Sequence, residues 1–254
     1  MNSSPRPLAI VSGGSRGLGF ESARGLAARG YDLALIAKDQ ARLNSAREQL
    51  LTEFSSTQTG LTISTHAADL ESQEITRKVA QVMIASLPTP KAMVLAHGVM
   101  SEKMSKTLKT NDAEWRRVMA INLDSVFQLV NGIAPAMADA RNGRVIIFSA
   151  CLGRMSGPGN AGGLAPYRIS KAGVNALVRN LAHETGLGAR GFLVDAICPN
   201  HSRTDMGGPD ALRSAEEGAE TALWLLDRTF NPQSENEIER TTGVLWEDHQ
   251  IVPW

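Results

Sequence analysis

The chain reads as an α/β fold: one parallel sheet of about seven strands, doubly wound, with helices on both faces. Three observations predict it. Short apolar runs alternate with longer amphipathic stretches almost from end to end. Runs of this length between helical segments suit βαβ units and strands buried on both faces. The length of 254 residues, 43% of them hydrophobic, suits one large domain with a substantial core.

The elements follow in order. Leu8–Ser12 is the first run, and Gly17–Arg29 is helical in pattern. Asp32–Ala37 precedes a helix over Gln40–Phe54, and Leu61–Ala67 precedes one over Gln73–Leu87. Lys91–Ala96 leads to a long helix near Asp112–Ala138. Arg144–Ser149 is followed by a helix over Pro166–Thr185, and Phe192–Cys198 by one over Ser214–Asp227. Gly243–Trp246 is the last run. Right-handed crossovers place the helices on both sides. No linker or repeat divides residues 1–254, so they read as one domain. Three segments break the rhythm: the glycine-rich 150–165, the polar 199–213, and 230–240, an expected surface loop. The first two follow strands, where ligands bind in open parallel sheets, and are candidate substrate loops.

Composition removes several classes of function. Twenty-six basic residues balance twenty-six acidic ones. There is no global attraction to nucleic acid or an anionic membrane. Two cysteines, Cys151 and Cys198, build neither a disulfide framework nor a cysteine-rich zinc site, and no metal is expected. No signal-peptide core and no run of about 20 apolar residues is visible, so the expected location is the cytoplasm.

The first run enters Ser12-Gly13-Gly14-Ser15-Arg16-Gly17-Leu18-Gly19 and then a helix. Glycines there permit a tight turn and close backbone approach. The helix N-terminus offers free N–H groups to a pyrophosphate. Gly13, Ser15, Arg16, Gly17, Leu18 and Gly19 are therefore candidate cofactor contacts. The second run ends at Ala37-Lys38, where an NAD-preferring enzyme usually carries an acidic residue for the adenosine ribose. Lys38 and Arg16 together suit a 2′-phosphate, which points to NADP(H). Asp69, followed by Leu70, either accepts from the adenine amino group or caps the next helix. Ala96 and Gly98, in the turn after the fourth strand, join the candidate cofactor site, with Pro199 and Met206.

Tyr167 and Lys171 are four residues apart in a helical stretch and share one face. A phenol of pKa near 10 is a poor acid–base group at neutral pH. A nearby ammonium lowers that pKa, and the pair can then exchange a proton with an oxygen on a reacting carbon.

The combination Ser12-Gly13-xxx-Gly17-x-Gly19, Asn122 in Ile121-Asn122-Leu123, and Tyr167-xxx-Lys171 resembles the short-chain dehydrogenase/reductase family over essentially the whole chain. Arg203-Thr204-Asp205-Met206 and the ending Val252-Pro253-Trp254 resemble its carbonyl-reductase-like members. The resemblance implies a Rossmann-type domain, a nicotinamide cofactor and hydride transfer. It makes Tyr167 the general acid/base and Lys171 the residue that lowers its pKa and binds the nicotinamide ribose. It makes Asn122 the holder of a relay water and Thr204 a contact of the carboxamide. It also implies a homo-dimer or homo-tetramer built through the long helices.

The sequence departs from that pattern where the family carries a catalytic serine in Ser-x-x-Gly. Counting back from Gly153 puts Ala150 there. Ser149 is a candidate catalytic substitute, but adjacent strand residues point to opposite faces. His201, in Pro199-Asn200-His201, is a second candidate for contact with the substrate. The reading preferred over both is that Ala150 leaves the role empty. His97 reads as a turn residue beneath the nicotinamide. The leading expectation is an NADPH-dependent reductase of a carbonyl or imine on a small, mostly apolar substrate. The alternatives are a non-redox dehydratase, isomerase or cyclase on the same scaffold, and an NADP(H)-binding non-enzyme.

Overall fold

The computed structural model describes residues 5–102, 105–157 and 161–254. Strands β1 (Leu8–Ser12), β2 (Asp32–Ala37), β3 (Ile63–Ala67), β4 (Ala92–Leu95), β5 (Gly143–Phe148), β6 (Phe192–Ile197) and β7 (Leu245–Glu247) run parallel. Strand β8 (Gln250–Val252) adds an antiparallel edge, and the order is β3-β2-β1-β4-β5-β6-β7-β8. The eighth strand corrects the expected seven. It is only three residues long and carries no apolar run. A turn at Asp248 and His249, both at positive φ, folds it back onto β7.

Both faces of the sheet are buried. In β1, Leu8 and Ile10 enter one apolar cluster while Ala9 and Val11 enter the other. That alternation is the period of a strand with no wet side. Helices α1 (Gly17–Ala28), α2 (Gln40–Glu53) and α7 (Ala215–Asp227) cover one face. Helices α3 (Gln73–Ser86), α5 (Ser125–Asp139) and α6 (Ala165–Glu184) cover the other. Between α3 and α5 lies α4 (Asp112–Met119), and α8 (Glu237–Arg240) is a single turn inside the segment expected to be a loop.

The long helix expected over Asp112–Ala138 is interrupted. A π turn at Ala120–Asp124 separates α4 from α5 and contains the buried Asn122. The apolar periodicity continues through it, so the sequence pattern carries no sign of the break. Such insertions are frequent at functional sites. The sheet reverses its winding between β1 and β4, and a crevice opens beyond the carboxyl ends of those strands.

Candidate active site

A groove of 660 Å³ occupies that crevice, within the usual range of a small-molecule site. Gly13, Ser15, Arg16, Gly17, Leu18 and Gly19 form one wall. Lys38, Asp69, Leu70, Ala96 and Gly98 continue it, and Thr204 and Met206 close the far side. The wall is shaped by missing side chains. A Cβ on Gly13, at φ +71°, would lie 2.9 Å from the backbone N of His97. One on Gly19 would lie 2.2 Å from the Gly13 carbonyl oxygen. Helix α1 begins at Arg16 without a side-chain cap and without an acidic residue in its first turn. Its first N–H groups are left to meet an anion, as a dinucleotide pyrophosphate requires.

One end of the groove is rich in charge. Lys38 Nζ lies 2.6 Å from Asp69, and Arg16 pairs with Asp205. The Lys38 hydrogen bond holds the Asp69 carboxyl below its ordinary range, and Asp69 raises Lys38 in return. Asp69 does not cap α3. Ser72 does, accepting from the Ile75 N–H, which removes one of the two roles expected for Asp69. Arg42 also lines the groove, 3.9 Å from Asp205. It was not among the expected residues. Its signal was a cation in the first turn of α2, where the helix dipole opposes positive charge.

Tyr167, Lys171 and Pro199 are outside the lining of this groove. The first two are buried on α6. Gly98 connects the groove to them. It lines the groove, and a Cβ on it would lie 3.5 Å from Lys171 Nζ and 3.3 Å from Asn122 Oδ1. Lys171 Nζ donates to the Phe148 carbonyl at 2.8 Å and lies 5.9 Å from the centroid of the Tyr167 ring. Burial lowers the lysine to about 8. The Tyr167 phenol is instead pushed up, by burial and then by the charges of Cys198 and Cys151. This reverses the expected effect of the lysine. At 6% exposure the cost of desolvating a phenolate outweighs the distant ammonium.

Helix α6 has no cap of its own, since Leu164 sits at its N-terminus with φ 52°. Ser101, buried after β4, fills the role by accepting the Tyr167 N–H at 2.8 Å. Asn122 is fully engaged. Its Nδ2 donates to the Val99 carbonyl and Ser170 Oγ, and its Oδ1 accepts the Val99 N–H. The amide therefore has no hydrogen left for a relay water. Only the second lone pair of Oδ1, beside Gly98, remains.

His97 bridges β1 to the π turn. Ser125 Oγ donates to the Ile121 carbonyl at 2.6 Å, so toward His97 Nε2, 2.7 Å away, it can only accept. Nε2 then carries the proton, and Nδ1 accepts from Ser12 Oγ at 2.5 Å. Burial and the nearby Lys171 depress the imidazole to about 3, so it stays neutral.

Of the two candidates for the missing serine's role, Ser149 is held by another partner. Ser149 continues the β5 positions that face α6, and its Oγ donates to Asn175 Oδ1 at 2.5 Å. Asn175 Nδ2 in turn donates to the Gly153 carbonyl, so Ser149 braces the turn after β5. His201 is exposed, and its Nε2 meets the Gly207 carbonyl at 2.8 Å within its own loop. It does not line the groove. The placement of Ser149 is a correction. Strand alternation turned Ser149 away from Ala150's face, while the loop contact of His201 engages Nε2 and leaves Nδ1. Ala150 itself is extended and buried. Thr204 lines the groove through its methyl group, close to Gly17, while its hydroxyl accepts the Gly207 N–H. Pro199 accepts from Ser202 Oγ. Within the 150–165 loop, Gly159 lies outside the described residues.

The sequence matches the short chain dehydrogenase family model over residues 7–214. The 3-oxoacyl-(acyl-carrier-protein) reductase of Escherichia coli is 31% identical over 200 residues, 78% of this chain and 75% of the relative. The carbonyl reductase (NADPH) 1 of Rattus norvegicus is 26% identical over 293 residues, covering 99% of this chain and 100% of its own. A short chain dehydrogenase structure from Salmonella enterica superposes with TM-score 0.79 at 21% identity, over 96% of this chain and 98% of that one. One from Escherichia coli, complexed with NADPH, gives 0.78 at 20% identity, over 94% and 95%. At these identities the two structures speak for the fold. No described helix is long and apolar enough to cross a membrane, and no described cluster of His, Cys, Asp and Glu suits a metal.

Proposed function

The chain belongs to the short-chain dehydrogenase family, and on that premise we propose that it is an NADPH-dependent reductase of a carbonyl or imine. The observation that carries the proposal is Gly98, which lines the nucleotide groove and also faces Lys171 Nζ and Asn122 Oδ1. Cofactor site and proton-transfer site thereby share one wall. Arg16, Lys38 and Arg42 favour a 2′-phosphate over a bare ribose. The relative named carbonyl reductase (NADPH) 1 supports the same choice.

When bound, the reduced nicotinamide supplies the hydride. The residues of this chain bind it, orient it and manage the proton. The uncapped start of α1 receives the pyrophosphate, and Gly13 and Gly19 keep side chains out of its path. Lys171, anchored on the Phe148 carbonyl, keeps two N–H groups for the nicotinamide ribose. Tyr167 gives its proton to the heteroatom of the acceptor. Its raised pKa keeps the phenol protonated at neutral pH, the form needed for reduction.

With Ala150 in the serine position and Ser149 bonded to Asn175, little stabilises a developing oxyanion. Acceptors that develop less negative charge are favoured. These are imines, or ketones with an internal hydrogen bond. Met206, an apolar side chain in the groove wall, suits a small apolar substrate. A homo-dimer or homo-tetramer through α5 and α6 belongs to the same proposal, and light scattering tests it. The decisive experiment follows NADPH absorbance against ketones, diketones, quinones and cyclic imines. Turnover with any acceptor supports the reductase. NADPH binding with no acceptor reduced turns the reading to non-redox chemistry.

A further inference from the structure

The two cysteines are far apart in sequence but follow the ends of paired strands, close enough for both to raise the pKa of Tyr167. Cys151 opens the short helical turn after Ala150, and Cys198 follows the last residue of β6. Phe148 of β5 pairs with Ile197 of β6, and the Ser149 N–H donates to the Ile197 carbonyl. The two strand ends are thus held side by side, one residue before Cys198 and two before Cys151. Cys198 belongs to the apolar cluster on the α6 face, and Cys151 packs against that cluster. Each thiol perturbs the titration of the other, drawing Cys151 below its ordinary range and pushing Cys198 up. The accessibilities differ: Cys198 is 2% exposed, while Cys151 is partly open. The proton-transfer steps above employ neither.

We propose that Cys151 and Cys198 form a hydroperoxide-reactive dithiol that closes to a disulfide next to Tyr167. Cys151 is the attacking residue, because it is the accessible one, and the neighbouring Cys198 thiol lowers its pKa toward the thiolate. Its sulfur attacks one peroxide oxygen, the O–O bond breaks, and the departing hydroxide takes the proton Cys151 gave up, leaving as water. The sulfenic acid formed is attacked by the sulfur of Cys198. The S–O bond breaks, and the hydroxyl leaves as a second water with the proton of Cys198. Two thiols lose two electrons, and one peroxide becomes two waters.

Buried Cys198 lies ready to resolve the sulfenic acid before over-oxidation. The bond, about 2 Å long, draws the Ala150–Gly153 turn toward Pro199. Displacements of about 1 Å near a reacting centre cost on the order of a hundredfold in rate. Closure should therefore lower turnover at least tenfold. That last clause rests on the reductase reading; the disulfide itself does not.

The test treats the full-length protein with hydrogen peroxide and reads its mass and thiol content. The expected result is loss of two hydrogens, loss of both free thiols, a linked peptide pair containing Cys151 and Cys198, and reversal by dithiothreitol. Cys198→Ala should instead accumulate sulfenic and sulfinic acid on Cys151, and Cys151→Ser should leave Cys198 reduced. Addition of oxygen to wild-type Cys151 with no linked peptide would overturn the proposal. So would persistence of both thiols under peroxide that modifies a control thiol. Intact folding of each variant is checked by circular dichroism, and the wild-type mass result decides even if a variant fails to fold. Once a substrate is in hand, a disulfide that leaves turnover unchanged overturns the inhibitory effect alone.

Discussion

The two ends of the crevice are built on opposite physical terms. At the nucleotide end, Arg16, Lys38 and Arg42 are more than half exposed, and each lies near an aspartate. Such pairs contribute little to folding, typically about 0–1 kcal/mol. Their charges can be exchanged for those of a ligand at small cost. At the proton-transfer end, Tyr167, Lys171 and Asn122 are buried and His97 is half-buried, and the last three are bonded to backbone carbonyls, amides and serines. Rearrangement there leaves unpaired polar groups, and each costs about 1–3 kcal/mol. The nucleotide end is built to exchange partners and the other end to hold still.

Tyr167→Phe is the harshest test of that division. It removes the proton donor and no backbone contact. Reductase turnover should fall by about 10²–10⁴-fold, while the dissociation constant for NADPH stays within about threefold, well under 1.4 kcal/mol. Steady-state kinetics and fluorescence titration read the two separately. An equal loss in both would mean that the ends are not independent.

The nucleotide end is tested by Arg16→Ala and Arg42→Ala. Each should weaken NADPH by about tenfold, the equivalent of about 1.4 kcal/mol, and leave NADH within a factor of two. Raising the salt concentration should shrink the difference, because exposed charges are screened. Loss of NADH binding along with NADPH would assign these arginines to the pyrophosphate.

How far each end was legible in the sequence follows from the same contrast. The glycine loop and the Tyr167–Lys171 spacing are short-range patterns, and backbone geometry alone ties them to their positions. Arg16 and Lys38 were readable because they stand at fixed distances from strand ends. What the sequence hid depends on long-range packing. The π turn at Ala120–Asp124 continues an unbroken helical pattern. The cap that Ser101 provides for α6 spans 66 residues. The protonation of Tyr167 follows from burial by segments remote in the chain. The direction of Ser149 was readable from strand alternation, but its partner Asn175 was not.

His97 gives a test within the buried end. Its folded pKa of about 3 lies below the ordinary value of 6.5. Between those values the unfolded chain binds a proton that the folded one does not. Stability is therefore fully present above pH 6.5 and is lost as pH falls toward 3, by about 1.4 kcal/mol for each pH unit. His97→Gln removes the titration. Urea unfolding at pH 7 and pH 5 should show a steeper acid loss for the wild type than for the variant. Parallel losses would mean that the imidazole is protonated in the fold.

The mildest expected effect comes from Ala150→Ser, which adds a donor at the position the family usually fills. The site is buried and its backbone is extended, two residues past the end of β5, so a hydroxyl there is confined. It can stabilise an oxyanion without disturbing Lys171, which hangs from the carbonyl of Phe148 two residues earlier. For simple ketones the variant should raise kcat several-fold. That is well short of the roughly 10²–10³ that a fully positioned oxyanion donor supplies, because neighbouring groups have not been arranged around it. For cyclic imines it should leave kcat unchanged or lower it, since protonation of nitrogen develops no oxyanion. A gain for both acceptors would mean that oxyanion stabilisation limits this enzyme as it stands. A loss for both would mean that the space at Ala150 is reserved for the substrate's own apolar surface.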